Sequence, residues 1–548
     1  MKKVNFILLV ALGFLLGGCA KEPNQAVNII PQPQQLEVVD GGFSLTPKTV
    51  INVVKGADDL QPACTFLSKL VEKSLGSALE IKSGEVKKDA VNIIVDSSMK
   101  TDAYELIVTD KSVDVKGGSS KAVFYALQSL RQMMPVGIEK GEQMRKIRIQ
   151  NVKIQDEPRF AYRGGMLDVC RHFFTVEEVK NYIDILALHK LSVFHWHLTE
   201  DQGWRIEIKK YPELTQVGSV RKQTVIGKNT GKYDGKPYGP YFFTQDQIKE
   251  IIQYAADRYI TIIPEIELPG HALAALATYP ELGCTGGPYE VCQMWGVFPQ
   301  VFCAGNEKTF EFLENVLTEV AELFPSDIIH IGGDECPKDA WKKCKKCQKR
   351  IKKENLKNEE ELQSYVIHRI EAFLKTKGKK IIGWDEILEG GVSPTATVMS
   401  WRGKNGGITA AQKGNNVVMT PNDYVYFDYY QSKDIKNEPF SIGGFVDVAK
   451  VYSLDPTEGL TPEQGEKVIG VQANLWTEYI STFSHAEYML LPRLAALSEV
   501  GWTALDKKDY TNFLERARLL TQRYEALGYN YAKHIMQDSI VETNKTAN

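Results

Sequence analysis

The sequence predicts an α/β fold: an eight-stranded (β/α)8 barrel, of the TIM type, preceded by a small α+β domain. Three observations lead there. Beyond residue 156 a short apolar run, a polar loop and a helical pattern recur, and eight apolar runs can be counted. These runs contain few alternating polar residues, as expected for parallel strands covered by helices. At 548 residues the chain exceeds one ordinary domain of ~100–200 residues, while a single barrel absorbs about 250 or more.

The elements follow in order. Lys2 and Lys3 precede an apolar run from Phe6 to Leu16. That run is shorter than the ~20 residues a membrane-spanning helix needs, so residues 1–19 read as a signal peptide. Its end, Leu16-Gly17-Gly18-Cys19, resembles a bacterial lipobox, in which the cysteine is lipidated. The expectation is an exported protein, held in the cell envelope by a lipid on Cys19 and meeting the membrane through that anchor only. Ordinary cleavage after a small residue is the alternative. Residues 20–35, polar and carrying Pro23, Pro31 and Pro33, read as a tether. Residues 36–155 form the α+β domain. In it Val91–Val95 is a strand, Tyr104–Val108 and Ser112–Val115 are a strand pair, and Lys121–Met134 is a helix stopped by Pro135. Asp156-Glu157-Pro158-Arg159-Phe160 marks a joint, and the barrel is expected over 156–535.

The predicted barrel strands are Gly164–Asp168, Leu191–His197, Ile260–Glu267, Asp327–Ile331, Lys380–Trp384, Thr397–Trp401, Asn416–Met419 and Val468–Asn474. Helical spacing follows most of them, at Val176–Leu188, Gln245–Arg258, Glu307–Phe324, Glu360–Lys377, Gly407–Lys413 and His485–Val500. Residues 506–535 read as a final helix and 536–548 as a polar tail. Two long loops, 199–244 and 280–305, are candidates for function.

Composition narrows the function. Hydrophobic residues are 43% and charged residues 25%, which excludes a disordered chain and a multi-span membrane protein. The 66 Lys+Arg balance 69 Asp+Glu to a net charge of −3, which argues against a nucleic-acid partner. Eight Trp and 24 Tyr suit a neutral, flat-faced ligand such as a sugar. Eight cysteines follow Cys19. Cys284 and Cys292 flank a Gly-Gly-Pro turn and could close a short disulfide loop, which export would permit. Cys344-Lys-Lys-Cys347, with Cys336 nearby, resembles half a zinc site. Structural zinc takes four ligands, and no His or fourth Cys lies close in sequence. Free thiols are the third possibility, and no metal or cofactor is assigned.

Polar residues gather where the predicted strands end: Asp168 and Arg171, then His195, His197 and Glu200, then Glu267 and His271, then Asp334 and Glu335. Trp384, Asp385 and Glu386 end the fifth strand, Trp401 and Arg402 the sixth. Tyr424, Tyr426 and Asp428 follow the seventh, and Trp476 and Glu478 the eighth. In this fold the C-terminal strand ends make the active face, so these residues can converge on one pocket. His195-x-His197 also admits a metal-dependent barrel hydrolase, although no further His pair completes such a site.

Arg163-Gly-Gly-Met-Leu-Asp168-Val-Cys-Arg171-His172, His195-Trp-His-Leu-Thr, Pro269-Gly-His271 and above all His330-Ile-Gly-Gly-Asp334-Glu335 resemble glycoside hydrolase family 20. Its typical members are exo-acting β-N-acetylhexosaminidases, and the resemblance covers about residues 36–530. It implies Glu335 as general acid/base and Asp334 as the carboxylate that holds the substrate's acetamido N–H. Tyr426 would hold the acetamido oxygen. Trp384, Trp401 and Trp476 would form aromatic walls, and Arg171, Asp428 and Glu478 would bind sugar hydroxyls. His271 would support the acid/base. An Asp normally backs this imidazole; here the matching position is Glu200, with Asp201 adjacent. The family needs no cofactor. The remaining alternative is a glycan-binding lipoprotein without catalysis, against which the full set of carboxylates and Tyr426 argues.

Overall fold

The structure is a computed structural model and describes residues 26–534. The signal peptide, Cys19 and the tail at 536–548 lie outside the described residues. Among the described residues no helix is long and apolar enough to cross a membrane.

The N-terminal domain is one mixed sheet of seven strands. Their spatial order is Gln35–Leu45, Ile147–Asp156, Tyr104–Val108, Val113–Gly117, Ala90–Val95, Val50–Lys55 and Glu80–Ser83. The helix Ser120–Met133 packs on this sheet, and Gln61–Leu75 packs on that helix. Ser119 starts the first of these as its N-cap, its hydroxyl accepting from the Ala122 N–H, and Pro135 follows its end.

The expected tether is a correction. Ile29 and Ile30 are buried in the core. The Ile30 N–H donates to Gln132 Oε1 at 2.9 Å, the Gln32 N–H to Glu499 Oε2 at 3.1 Å and the Gln34 N–H to Asp156 Oδ1 at 3.0 Å. Two adjacent isoleucines bury enough apolar surface to dock a segment whose prolines alone suggested a spacer.

The barrel closes as expected. Its eight parallel strands are Tyr162–Asp168, Val193–His197, Thr261–Leu268, Ile328–Gly332, Lys380–Trp384, Thr397–Ser400, Val417–Met419 and Val468–Leu475. Each pairs with its neighbours in chain order, and the eighth returns to the first with Gly470 opposite Tyr162 and Leu475 opposite Leu167. The helix predicted over His485–Val500 is two helices, Phe483–Leu490 and Arg493–Trp502. Pro492 divides them, because it lacks the N–H that a continuous helix would use. The final helix is shorter than predicted, Tyr510–Leu527, capped by Asp509 and ended by Gly528 in the left-handed region.

The two domains meet at the N-terminal ends of the barrel strands through a buried polar network. Lys190, just before the second strand, donates to Ser129 Oγ at 2.7 Å and stands 3.6 Å from Asp156 Oδ2. Asp156 also accepts from Tyr104 Oη at 2.6 Å and from Trp502 Nε1 at 2.9 Å. Arg163 donates to Tyr125 Oη at 2.7 Å. In a barrel this end serves stability, and the opposite end is left for chemistry.

The Cys284–Cys292 loop closure is not formed. Cys284 Sγ lies 3.8 Å from Cys347 Sγ, whereas Cys292 Sγ faces the Met294 carbonyl at 3.4 Å. All eight described cysteines are unbridged.

Candidate active site

The fourth strand delivers the acidic pair through a tight loop. Gly332 and Gly333 have φ of 64° and 94°, and Glu335 itself has φ of 44°. A Cβ on Gly332 would collide with the Glu267 carboxylate, so only glycine fits there. A left-handed glutamate is uncommon, and its cost is accepted here to aim one carboxylate. The turn leaves Asp334 buried and the Glu335 side chain 38% exposed, so consecutive carboxylates point to different environments. Asp334 Oδ1 is buried without a protein partner.

His271 faces both. Its Nε2 is 3.6 Å from Asp334 Oδ2 and 3.6 Å from Glu335 Oε2. On the other side Nδ1 donates to Asp201 Oδ2 at 3.1 Å, with Glu200 Oε1 as an ion-pair partner 2.7 Å away. Both acids therefore back the imidazole, and Asp201 provides the aligned hydrogen bond. Burial alone would depress His271, but Glu200, Asp201 and Asp334 raise it well above its usual value, which keeps an imidazolium between the carboxylates. Glu200 has further work: Arg171 Nη2 is 2.9 Å from its Oε2. Burial opposes its charge, yet Arg171 and His271 hold it well below the usual carboxylate range. Asp168 accepts from the Cys170 and Arg171 N–H groups and from Thr477, so it shapes the turn that presents Arg171. The Arg171 guanidinium then stacks 5.1 Å from the Trp476 ring centre.

A cavity of about 340 Å³ opens on this face. Of the residues assigned catalytic or binding roles from sequence, all except Glu200 line it: Arg171, His271, Asp334, Glu335, Trp384, Trp401, Tyr426, Asp428, Trp476 and Glu478. Glu200 lies one layer behind. A larger cleft of about 530 Å³ between the N-terminal domain and the barrel helices includes Arg131, Asp184 and Arg258, but none of the strand-end residues. The aromatic walls are close. Trp384 and Trp476 have ring centres 5.8 Å apart, and Trp401 stacks on Tyr426 at 6.0 Å with planes 21° apart. Glu386 accepts from Trp401 Nε1 at 2.9 Å; burial, then Asp334, push its carboxyl up to about 9. Burial also raises the Tyr426 phenol well above its usual value, so its hydroxyl remains a donor. Asp428 and Glu478 are both raised, by burial first.

Tyr429, Ile442 and Tyr479 line the cavity without having been picked out from sequence, and two further sets of residues escaped it. Trp295, Val297 and Asn229 also line the cavity, from the two loops whose length had marked them. Asn229 Nδ2 donates to the Trp295 carbonyl at 2.8 Å and its Oδ1 accepts the Trp295 N–H at 3.2 Å, tying the loops together. The second is Glu265, fully buried inside the barrel. Its carboxylate is 2.9 Å from His195 Nε2 and 2.8 Å from His330 Nδ1, and it accepts from His197 Nδ1 at 2.6 Å and Trp384 Nε1 at 2.8 Å. The His195-x-His197 pair thus belongs to a buried polar hub and does not line the cavity. The signal was a shared parity: residues two apart on one strand face the same side, and Glu265 lies in register with His197 and His330 on the strands beside it.

This hub carries a pH dependence. Burial would lower His197, but Glu265 and a hydrogen bond to Glu200 raise it from 6.5 to about 10. A histidine raised on folding contributes stability that is fully present below pH 6.5 and is lost as pH rises to about 10. Each full proton of difference slopes stability by ~1.4 kcal/mol per pH unit. The melting temperature is expected to fall across that window, and less steeply in His197→Gln. Parallel slopes in a thermal-shift series would place the proton elsewhere.

Comparison with known proteins agrees with this geometry. The pattern described as "Glycosyl hydrolase family 20, catalytic domain" matches residues 160–505, and "Glycosyl hydrolase family 20, domain 2" matches residues 26–157. A beta-hexosaminidase of Porphyromonas gingivalis is 45% identical over 545 residues, covering 97% of this chain and 68% of its own length. Among solved structures, the GH20 beta-N-acetylhexosaminidase of Streptomyces coelicolor superposes with a TM-score of 0.82 at 29% identity, over 93% of this chain and 99% of its own. A GH20 exo beta-N-acetylglucosaminidase of Vibrio harveyi, in complex with N-acetylglucosamine, gives 0.81 at 31% identity, over 93% and 79%. Fold, site and similarity converge: the chain belongs to glycosyl hydrolase family 20 and is a glycosidase.

Proposed function

We propose that this enzyme removes terminal β-linked N-acetylhexosamine (GlcNAc or GalNAc) from glycans, with retention of configuration and with the substrate's acetamido group as nucleophile. The observation that carries the reading is Asp334: a buried carboxylate with one unpartnered oxygen, one residue from Glu335 and on the wall of an aromatic cavity. An acetamido N–H is the partner that such an oxygen lacks. Similarity to the N-acetylglucosamine-bound enzyme of Vibrio harveyi supports the same sugar.

In the first step the acetamido oxygen bonds to the anomeric carbon as the bond to the leaving oxygen breaks, and Glu335 gives that oxygen its proton. The product ring is an oxazolinium. Asp334 accepts the N–H and stabilises its charge, Tyr426 donates to the acetamido oxygen, and the Trp walls exclude water. In the second step Glu335 takes a proton from water, which opens the ring from the face the leaving group left. A retaining enzyme with two carboxylates needs them ~5–5.5 Å apart on opposite sides of the bond, and consecutive residues are poorly placed for that. Of the two acids that could serve as a nucleophile instead, Glu267 is packed beneath Gly332 and does not line the cavity, whereas Glu478 does line it and is tested by the trapping experiment below. A held intramolecular nucleophile supplies roughly several kcal/mol of the barrier.

The test compares aryl β-N-acetylglucosaminide with aryl β-glucoside and follows the first-formed anomer by NMR. The β anomer first, with the glucoside orders of magnitude slower, is the expected result. A sugar ester on an Asp or Glu, isolated during turnover, sinks the mechanism.

A further inference from the structure

Outside the catalytic cavity, four cysteines from two separate segments meet. Cys303 Sγ is 3.7 Å from Cys344 Sγ and 3.7 Å from Cys347 Sγ, and Cys284 Sγ is 3.8 Å from Cys347 Sγ. All four sulfurs lie within 4.8 Å of one another. We propose that Cys284, Cys303, Cys344 and Cys347 hold a structural zinc ion.

The distances fit that occupant. Four sulfurs each at about 2.3 Å from one tetrahedral zinc are about 3.8 Å apart. A disulfide would instead bring two of them to about 2.05 Å and release the other two from the group. The four thiols share one centre rather than forming two pairs, since Cys303 and Cys347 each have more than one near neighbour. Cys303, Cys344 and Cys347 are buried, and Cys284 is partly so. A tetrathiolate zinc carries two net negative charges, and Lys342, Lys343, Lys345 and Lys346 surround the Cys344–Cys347 turn. Cys344 also occupies the N-cap position of the helix Lys345–Lys353, an end that favours a thiolate.

The half-site seen in sequence is therefore completed across space. Cys336 is not part of it; Cys284 and Cys303 are, from the two ends of a loop closed by the pairing of Gly283 with Phe302. That loop carries Trp295 and Val297 to the cavity wall, and the Cys344–Cys347 turn follows the segment that carries Asp334 and Glu335. The packing is tight at this seam: a Cβ on Gly305 would collide with the Lys346 backbone, and Trp341 Nε1 donates to the Phe302 carbonyl at 2.9 Å. The zinc clips the loop after the third strand to the loop after the fourth, and so positions one wall of the cavity against the acidic pair.

The test uses the full chain purified without chelator or added reductant, with zinc and iron measured by mass spectrometry of the digested metal. About one zinc per chain is expected. Cys303→Ser and Cys347→Ser are expected to lose it, while Cys64→Ala, in the N-terminal domain, retains it. Should the serine variants fail to fold, the wild-type protein decides: a mercurial thiol reagent is expected to release the zinc stoichiometrically into a chromogenic chelator. Iron in place of zinc, a protein four hydrogens lighter with two disulfides among these cysteines, or zinc retained in Cys303→Ser would each overturn the assignment. None of these readouts depends on glycosidase activity.

Discussion

Glu335→Gln is expected to lower turnover of oligosaccharides and other substrates with poor leaving groups by roughly 10²–10⁴-fold. The amide keeps the size and the left-handed turn of Glu335 but has no proton to give. The fall should be much smaller for aryl glycosides whose phenolate leaves without protonation, because cleavage then needs no acid. Position supports the assignment: the carboxylate is the more exposed of the pair, it lines the cavity, and His271 Nε2 lies 3.6 Å behind it. An equal loss on both substrate types, measured where bond cleavage limits the rate, would move the acid to another residue.

Asp334→Asn is expected to cost about 10²–10³ in kcat, the scale for removing one preorganised electrostatic partner of a developing charge. In the proposed mechanism that charge develops on the acetamido nitrogen. The carboxylate meets it with Oδ1, which has no protein partner to surrender, while Oδ2 is 3.6 Å from His271 Nε2. The asparagine is nearly the same shape, so sugar affinity should change far less than kcat. Steady-state kinetics on an aryl N-acetylglucosaminide decides the matter; a kcat within a few-fold of wild type would remove Asp334 from charge stabilisation.

Much of this was legible in sequence, for a physical reason. Parallel strands under helices are short, apolar and regularly spaced, so all eight were found within a few residues of their ends, and ten of the strand-end residues, between Arg171 and Glu478, line one cavity. What escaped depended on contacts distant in sequence. Glu265 reads as a polar break in an apolar strand until three histidines and an indole from other strands surround it. The four-cysteine cluster draws its pairs from positions dozens of residues apart, a separation no local spacing rule detects. Ile29 and Ile30 are only two residues among prolines and polar groups, and their burial required a partner surface that only the fold provides.

The Asp156–Lys190 contact ties the two lobes together across a seam shielded from water. Asp156 ends the last strand of the N-terminal sheet and Lys190 lies just before the second barrel strand, and both side chains are fully shielded from solvent. Removing the Asp156 carboxylate from the intact chain would leave the Lys190 ammonium buried without its counterion; losing one member of such a pair costs roughly 3–5 kcal/mol. Whole-domain stabilities are only about 5–15 kcal/mol, so that loss is a large share of what keeps a barrel folded. The joint after Asp156 is accordingly pinned by a buried charge pair, half of it supplied by a domain that does not line the sugar cavity.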